Sequence, residues 1–192
     1  RARWHAELDI RSIKAVMQMD VLRCKTPEMV RKEIWAHLLA YNLLRTVMAV
    51  AAAQSDVTYL KNNYFTRSNY IKVNNAPLLL DFGPQTFLSP SDWTSIFSPL
   101  PTRPTFLSLW YQSNQPGTNA SGEYPWIYSD FITGLTSFYD NRPLNVKFGV
   151  AYPGFNTFYS AGGWGGPGWS LPYNGTGTFG QTLDLAKNKA AG

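Results

Sequence analysis

Four charged residues near the start of the chain, Arg3, Glu7, Arg11 and Lys14, recur at steps of four, four and three. On a helix those steps put all four side chains on one face. Such a face can be a solvated one, with Glu7 paired to Arg3 and Arg11 at about 0.2–0.5 kcal/mol per pair. It can also present a basic row to a polyanion. A second set of chemistry-bearing residues lies further on. Asp81, Trp110, Tyr111 and Tyr152 fall where apolar runs end, and Glu123 and Trp126 stand in a following loop. Aromatic rings stack on the C–H faces of sugars while carboxylates take the hydroxyls, so this set suits a carbohydrate; ordinary packing of a Trp- and Tyr-rich region is the alternative. His5 and His37 are too far apart along the chain to point to a metal pair. The single cysteine, Cys24, excludes an internal disulfide and reads as a small buried hydrophobe. The glycine-rich run from Ala161 to Trp169 lacks the Gly-x4-Gly-Lys pattern of a phosphate cradle and reads as a loop.

The elements that must position these residues follow from periodicity. Trp4, Leu8, Ile10, Ile13, Met17 and Val21 predict a helix over about residues 2–19. Thr26-Pro27-Glu28 is a helix start, with Thr as N-cap, Pro at the first helical position and an acid in the first turn. The second helix is expected to run to about Ala53, with a core stripe of Val30, Ile34, Leu38, Tyr41, Leu44 and Met48. Further apolar residues at Trp35, Leu39, Leu43 and Val47 widen that stripe and predict burial against something larger than the first helix. Beyond it the pattern becomes strand, turn, helix. Buried strands are predicted at 77–83, 105–111 and 144–152, and helices at 91–97, 127–139 and 178–189, with a loop around Gly117 to Trp126. Strands alternating with helices imply a parallel sheet.

Composition divides the chain at the same place. Of the 192 residues, 1–54 contain no glycine and one proline, while 55–192 hold all 15 glycines and the other 12 prolines. The first part has nine Lys+Arg against five Asp+Glu and the second eight against seven, so most of the +5 net charge belongs to the first part. Three of the 29 aromatic residues lie in the first part. A boundary is therefore expected near Gln54–Val57, giving domains 1–54 and 57–192. No apolar run approaches the roughly 20 residues of a membrane span, and no signal peptide opens the chain. A cytoplasmic protein with no membrane partner is the expectation.

Arg3-x3-Glu7-x6-Lys14, followed by the words at 22–35 and by Ala40-Tyr41-Asn42-Leu43-Leu44-Arg45, resembles the tail of the Tyr-x2-Arg-x3-Glu-x6-Lys signature of DDE-type insertion-sequence transposases. The resemblance implies that residues 1–54 are a helical hairpin, a fragment of an RNase H-like domain. It implies that Glu7 is the third carboxylate of a trio that binds two divalent metals, with Mg2+ as the fitting ion, for DNA strand cleavage and transfer. Arg3, Arg11 and Lys14 would contact DNA at the transposon ends. The signature tyrosine would fall just before residue 1, and the two aspartates of the trio normally lie upstream. Asp9 and Asp20 are not in a strand context that could replace them, so transposition by this chain is not expected.

Tyr59 to Phe65, Pro77 to Phe87, Leu109-Trp110-Tyr111 with Gly122-Glu123-Tyr124, and Lys147 to Phe155 resemble the middle of bacterial glycoside hydrolases of the endo-α-mannosidase-like kind. That resemblance implies a partial (β/α) barrel over 57–192 and a glycan ligand. Trp110, Tyr111, Trp126 and Tyr152 would line the sugar site, with Asp81 and Glu123 as the candidate catalytic acids. The acidic motif of those proteins lies on a later strand than any here, and three strands fall short of the eight a barrel needs. The combined expectation is an α/β chain that fuses a transposase tail to a hydrolase-like barrel fragment and is inactive by itself. The alternative is a glycan-binding or glycan-hydrolysing module acting through residues 57–192.

Overall fold

The computed structural model describes residues 11, 14, 15, 21–83, 86–142, 144–163 and 166–190. The chain divides into two compact units, Arg1–Asp56 and Val57–Gly192. The helix predicted over residues 2–19 lies largely outside the described residues; residues 11, 14 and 15 are helical.

In the first unit, helix α1 begins at Pro27, as the Thr26-Pro27-Glu28 pattern predicts. The Thr26 hydroxyl accepts the Met29 amide at 3.4 Å and the Thr26 carbonyl accepts the Val30 amide at 2.9 Å. The Glu33 carboxylate accepts the backbone N–H groups of Arg23 and Cys24, which ties the preceding segment to α1. Those two amides hold Glu33 below the usual carboxylate pKa. Cys24 is half-buried and free.

Helix α1 runs through Ala53, where an end was expected, to Leu60, and continues as a π-helical turn over Lys61–Phe65. The reason is the absence of a breaker: no glycine or proline stands between Pro27 and Pro77, and Ala51-Ala52-Ala53 are the best helix formers. The compositional boundary thus falls inside a continuous helix about 51 Å long. Of the predicted stripe, Val30, Ile34, Leu38 and Tyr41 are half-buried while Leu44 and Met48 are exposed. Trp35, Leu39, Leu43 and Val47 form a second, exposed apolar row at i,i+4 steps.

The helical segment Pro27–Phe65 is also long and apolar enough to cross a membrane by length and composition, with a window mean hydropathy of 1.3. This corrects the expectation that no apolar run approaches the length of a membrane span. His37, Asn42, Arg45 and Thr46 interrupt the apolar run, but too few charges fall in an 18-residue window to lower its average.

The second unit is mixed α/β. Strands β1 (Lys72–Val73), β2 (Ala76–Asp81), β3 (Thr105–Leu109), β4 (Gly122–Tyr124) and β5 (Val146–Lys147) form one sheet in that order. β1 is antiparallel to β2; β2, β3, β4 and β5 are successive parallel neighbours, as the alternation of strands and helices implies. A small antiparallel pair, β6 (Phe155–Asn156) and β7 (Ser170–Leu171), lies beyond. Helices α2 (Pro90–Phe97), α3 (Phe131–Asn141) and α4 (Gly177–Lys189) sit close to their predicted places. Ser89 caps α2 by accepting the Asp92 amide, with Pro90 at the first position.

Three features differ from the expectation. β4 forms where a loop was predicted, because the β3–β4 connection carries no α-helix to announce a further strand; it holds a 3-10 turn at Gly117–Asn119. β1 and β2 form a hairpin whose two central residues, Asn74 and Asn75, both have positive φ (52° and 62°), the conformation of a two-residue primed turn that Asn tolerates. The third predicted strand shrinks to Val146–Lys147.

Side chains alternate across the sheet. Leu78, Leu107, Tyr124 and Val146 cluster on one face. On the other, Phe106 packs on Trp93 and Phe97 of α2 at ring-centroid distances of 4.6 and 5.1 Å. A second core gathers Leu135, Phe138 and Tyr139 of α3 with Tyr152 and Leu171.

Gly122 is where β4 and β5 come closest: a Cβ there would lie 1.8 Å from the Val146 carbonyl oxygen. Gly122→Ala is expected to separate the two strands and to destabilise the second unit by about 1–3 kcal/mol or more. The Phe148 amide, which donates to the Glu123 carbonyl, should lose hydrogen-exchange protection first, and unchanged protection there would count against this reading of the contact.

Candidate functional site

Arg3 and Glu7 lie outside the described residues. Arg11 and Lys14 are helical and exposed, so these two members of the predicted face are open to solvent. Among the described residues no group of three or more His, Cys, Asp or Glu side chains converges as a metal site would require. The described donor set therefore does not fit a two-metal carboxylate centre.

The second set is brought together at the C-terminal ends of β2, β3 and β4. Register aligns Asp81 with Ser108 and Ser108 with Glu123, so the two acids share one row, two strands or roughly 10 Å apart. Their environments are opposite.

Glu123 is completely buried and fully engaged. Its carboxylate forms a bidentate pair with Arg142, Nη2 to Oε1 at 2.5 Å and Nε to Oε2 at 3.1 Å. It also accepts the amides of Tyr111 and Ser113, each at 2.9 Å. The Arg142 Nη2 reaches the Ser113 hydroxyl at 3.2 Å. Burial by itself would raise the Glu123 pKa, but the hydrogen bonds from Arg142, Ser113 and Tyr111 outweigh it and hold the group below the ordinary carboxylate range. The same pair pushes Arg142 up. Chemically this is an anchor: both oxygens already have two donors.

Asp81, at the end of β2, is half-buried, and its Oδ2 has no hydrogen-bond partner among the described residues. Burial raises its pKa, the direction a proton-donating carboxyl needs. The neighbouring Tyr124 hydroxyl donates to the Asp81 backbone carbonyl at 2.9 Å and is itself pushed up to about 12 by burial and by the Asp81 charge.

The four aromatic candidates separate. Trp110 and Tyr111 stay together, with ring centroids 5.7 Å apart, at the head of the β3–β4 connection. Trp126 is exposed and pairs edge-on with Phe82 at 4.9 Å. Tyr152 is 7% exposed inside the α3 core, so its ring offers no open face. The positioning residues Arg142 and Ser113 were not anticipated. Arg142 lies 19 residues from Glu123 in sequence, and no spacing rule connects them.

Residues 1–43 match the family model described as Transposase DDE domain. Over 48 residues the chain is 52% identical to Transposase InsG for insertion sequence element IS4 of Escherichia coli (strain K12), an alignment covering 24% of this chain and 11% of that protein. The chain thus spans about a tenth of the length of that relative. The transposase resemblance of the N-terminal segment is supported; the resemblance of residues 57–187 to glycoside hydrolases gains nothing from these matches. No solved structure matches the chain.

Two titrations follow. Glu123, with its depressed pKa, contributes stability above the ordinary carboxylate pKa of about 4.3 and loses it as pH falls through the depressed value. Arg142→Ala is expected to cost about 3–5 kcal/mol by leaving a buried charge unpaired, read as a lower melting temperature of the second unit. Asp81 has the reverse sign: its contribution is present below the ordinary pKa and is lost as pH rises through the raised one. Asp81→Asn should therefore leave the melting temperature at neutral pH unchanged or higher, and a clear drop would show that the ionised Asp81 has a partner.

Proposed function

We propose that the N-terminal segment acts as the DNA-contacting tail of a DDE transposase domain and that the chain binds duplex DNA through it, at the phosphate backbone. The observation that carries this is the match over residues 1–43, which includes the Arg3-x3-Glu7-x6-Lys14 signature. The exposure of Arg11 and Lys14 and the excess of basic residues in 1–54 support it. On this reading Arg3, Arg11 and Lys14 neutralise phosphates, and Glu7 is the metal-binding carboxylate that Mg2+ would meet in a complete site. The helices of the first unit would be a fragment of an RNase H-like domain, acting in the cytoplasm. The described residues do not supply the rest of a metal centre, so no strand-cleavage step is derived.

Residues 57–192 are read as having a separate origin, joined to the transposase tail in a fused chain. Four successive parallel strands with α2 and α3 packed among them support their reading as an arc of a (β/α) barrel. A second function, glycan binding by this unit, is favoured by one observation: Trp110 and Tyr111 share an open cleft at the C-terminal end of β3. Binding fits better than hydrolysis, because the Glu123 carboxylate is already fully engaged.

Binding of a labelled DNA duplex, measured by anisotropy across a salt series, tests the first reading. Each of Arg11→Ala and Lys14→Ala should weaken binding and flatten the log–log salt slope by about 1. Equal affinity and slope for the double variant would remove it.

A further inference from the structure

The cleft beside Trp110 holds about 440 Å3 and is lined by Trp110, Tyr111, Tyr128, Asp130, Thr133 and Ser137. Two walls of different chemistry face each other there. One is aromatic. The Trp110 ring stands 5.7 Å from Tyr111 at 32° and 6.0 Å from Tyr128 at 80°. The buried Phe138 ring backs both Trp110 and Tyr111, at 6.0 and 6.1 Å.

The other wall is polar. Asp130, Thr133 and Ser137 stand at i, i+3 and i+7 along α3, which puts them on one helix face. Asp130 occupies the N-cap position, where an aspartate ordinarily accepts an amide of the first turn, yet its side chain makes no such bond. Gly134 leaves room for the Tyr128 ring: a Cβ there would lie 3.3 Å from it.

The aromatic wall is fixed at a cost. Tyr111 has φ +62°, a left-handed conformation that a bulky side chain adopts only when its surroundings impose it. The Trp110 amide donates to the Tyr124 carbonyl and the Tyr111 amide to the Glu123 carboxylate, while the Arg142 guanidinium covers the Tyr111 ring at 5.3 Å. Strain of this kind, held beside a cleft by a buried ion pair, marks a place where ring orientation matters.

We propose that this cleft is the glycan subsite of the chain and takes a neutral hexopyranose ring, its C–H face on Trp110 and Tyr111 and its hydroxyls on Asp130, Thr133 and Ser137. The inference rests on the glycan-binding reading of residues 57–192 and moves polar recognition from Asp81 and Glu123 to α3. A neutral ligand fits because, among the described residues, no cationic side chain lines the cleft to draw a phosphate or carboxylate. The single carboxylate and two hydroxyls match the donors and acceptors of a sugar edge.

Calorimetric titration of the full chain with a panel of methyl hexopyranosides and their disaccharides tests this. At least one should bind saturably in the millimolar range. Tyr111→Ala and Asp130→Asn should each weaken it about tenfold, and Tyr111→Phe, which keeps the ring, should bind like the parent. Asp130 is exposed, so its variant reports on the site without disturbing the core. No binding by any glycoside would remove the glycan reading and this site with it. Binding that survives both Tyr111→Ala and Asp130→Asn but is lost in Trp126→Ala would leave the reading standing and sink this placement. Tighter binding of tetramethylammonium than of any sugar would overturn the ligand class in favour of a cation held by the rings.

Discussion

The buried carboxylate of Glu123 is the constraint on which the rest of the second unit depends. An ion removed from water costs several kcal/mol unless its charge and hydrogen-bonding capacity are met. Here they are met by three groups from two places: the Tyr111 and Ser113 amides after β3, and the Arg142 guanidinium just after α3. One side chain on a three-residue strand therefore ties a loop and a helix end to the sheet. The same row continues at β5, where Lys147 pairs in register with Glu123 and donates to the Tyr139 carbonyl of α3. Short strands such as β4 and β5 have few ladder hydrogen bonds, and these side-chain ties supply much of what holds them in place.

This accounts for which parts of the fold were legible in the sequence. Signals that are local and strong were readable: Thr26-Pro27-Glu28 as a helix start, and the apolar runs of β2 and β3 as buried parallel strands. β4 was not readable, because Gly-Glu-Tyr has neither an apolar run nor an alternating pattern; its glycine is required by the Val146 backbone and its glutamate by an arginine 19 residues away. Both reasons are tertiary. The Asn74-Asn75 turn does carry a local signal, two residues that tolerate positive φ between β-forming residues. For the candidate site, Trp110 and Tyr111 were found from the strand-end rule. Tyr128, Asp130, Thr133 and Ser137 were not, since their convergence depends on how α3 packs against the β3 end. Tyr152 followed the same strand-end rule into the core.

The chain divides into compact units at Asp56–Val57, close to the change in composition, yet no break in the helix accompanies it. Glycine and proline counts change sharply near residue 54, yet they describe where breakers are absent as much as where domains meet. Because the next proline after Pro27 is Pro77, α1 passes through the compositional change without an end. The transposase match stops at residue 43, inside the same helix. The end of the sequence match and the end of the helix thus fall at different positions along one stretch of chain, with the change in composition and the division into compact units lying between them.

The exposed surfaces of the two units differ in kind, and that difference bears on what each can do. On α1, Trp35, Leu39, Leu43 and Val47 form a row about 18 Å long in which apolar side chains follow one another at i,i+4 with no polar partner on the row itself. Such a surface gains free energy simply by leaving water, at roughly 25 cal/mol per Å2, and is indifferent to the orientation of what covers it. The cleft at the end of β3 pairs rings with a carboxylate and hydroxyls, and its tyrosine is held in a strained conformation by a buried ion pair. A surface that needed only area would not require that strain. On the glycan reading proposed above, the cleft would discriminate among ligands by shape and hydrogen bonding, whereas a row like that on α1 offers area but little selectivity.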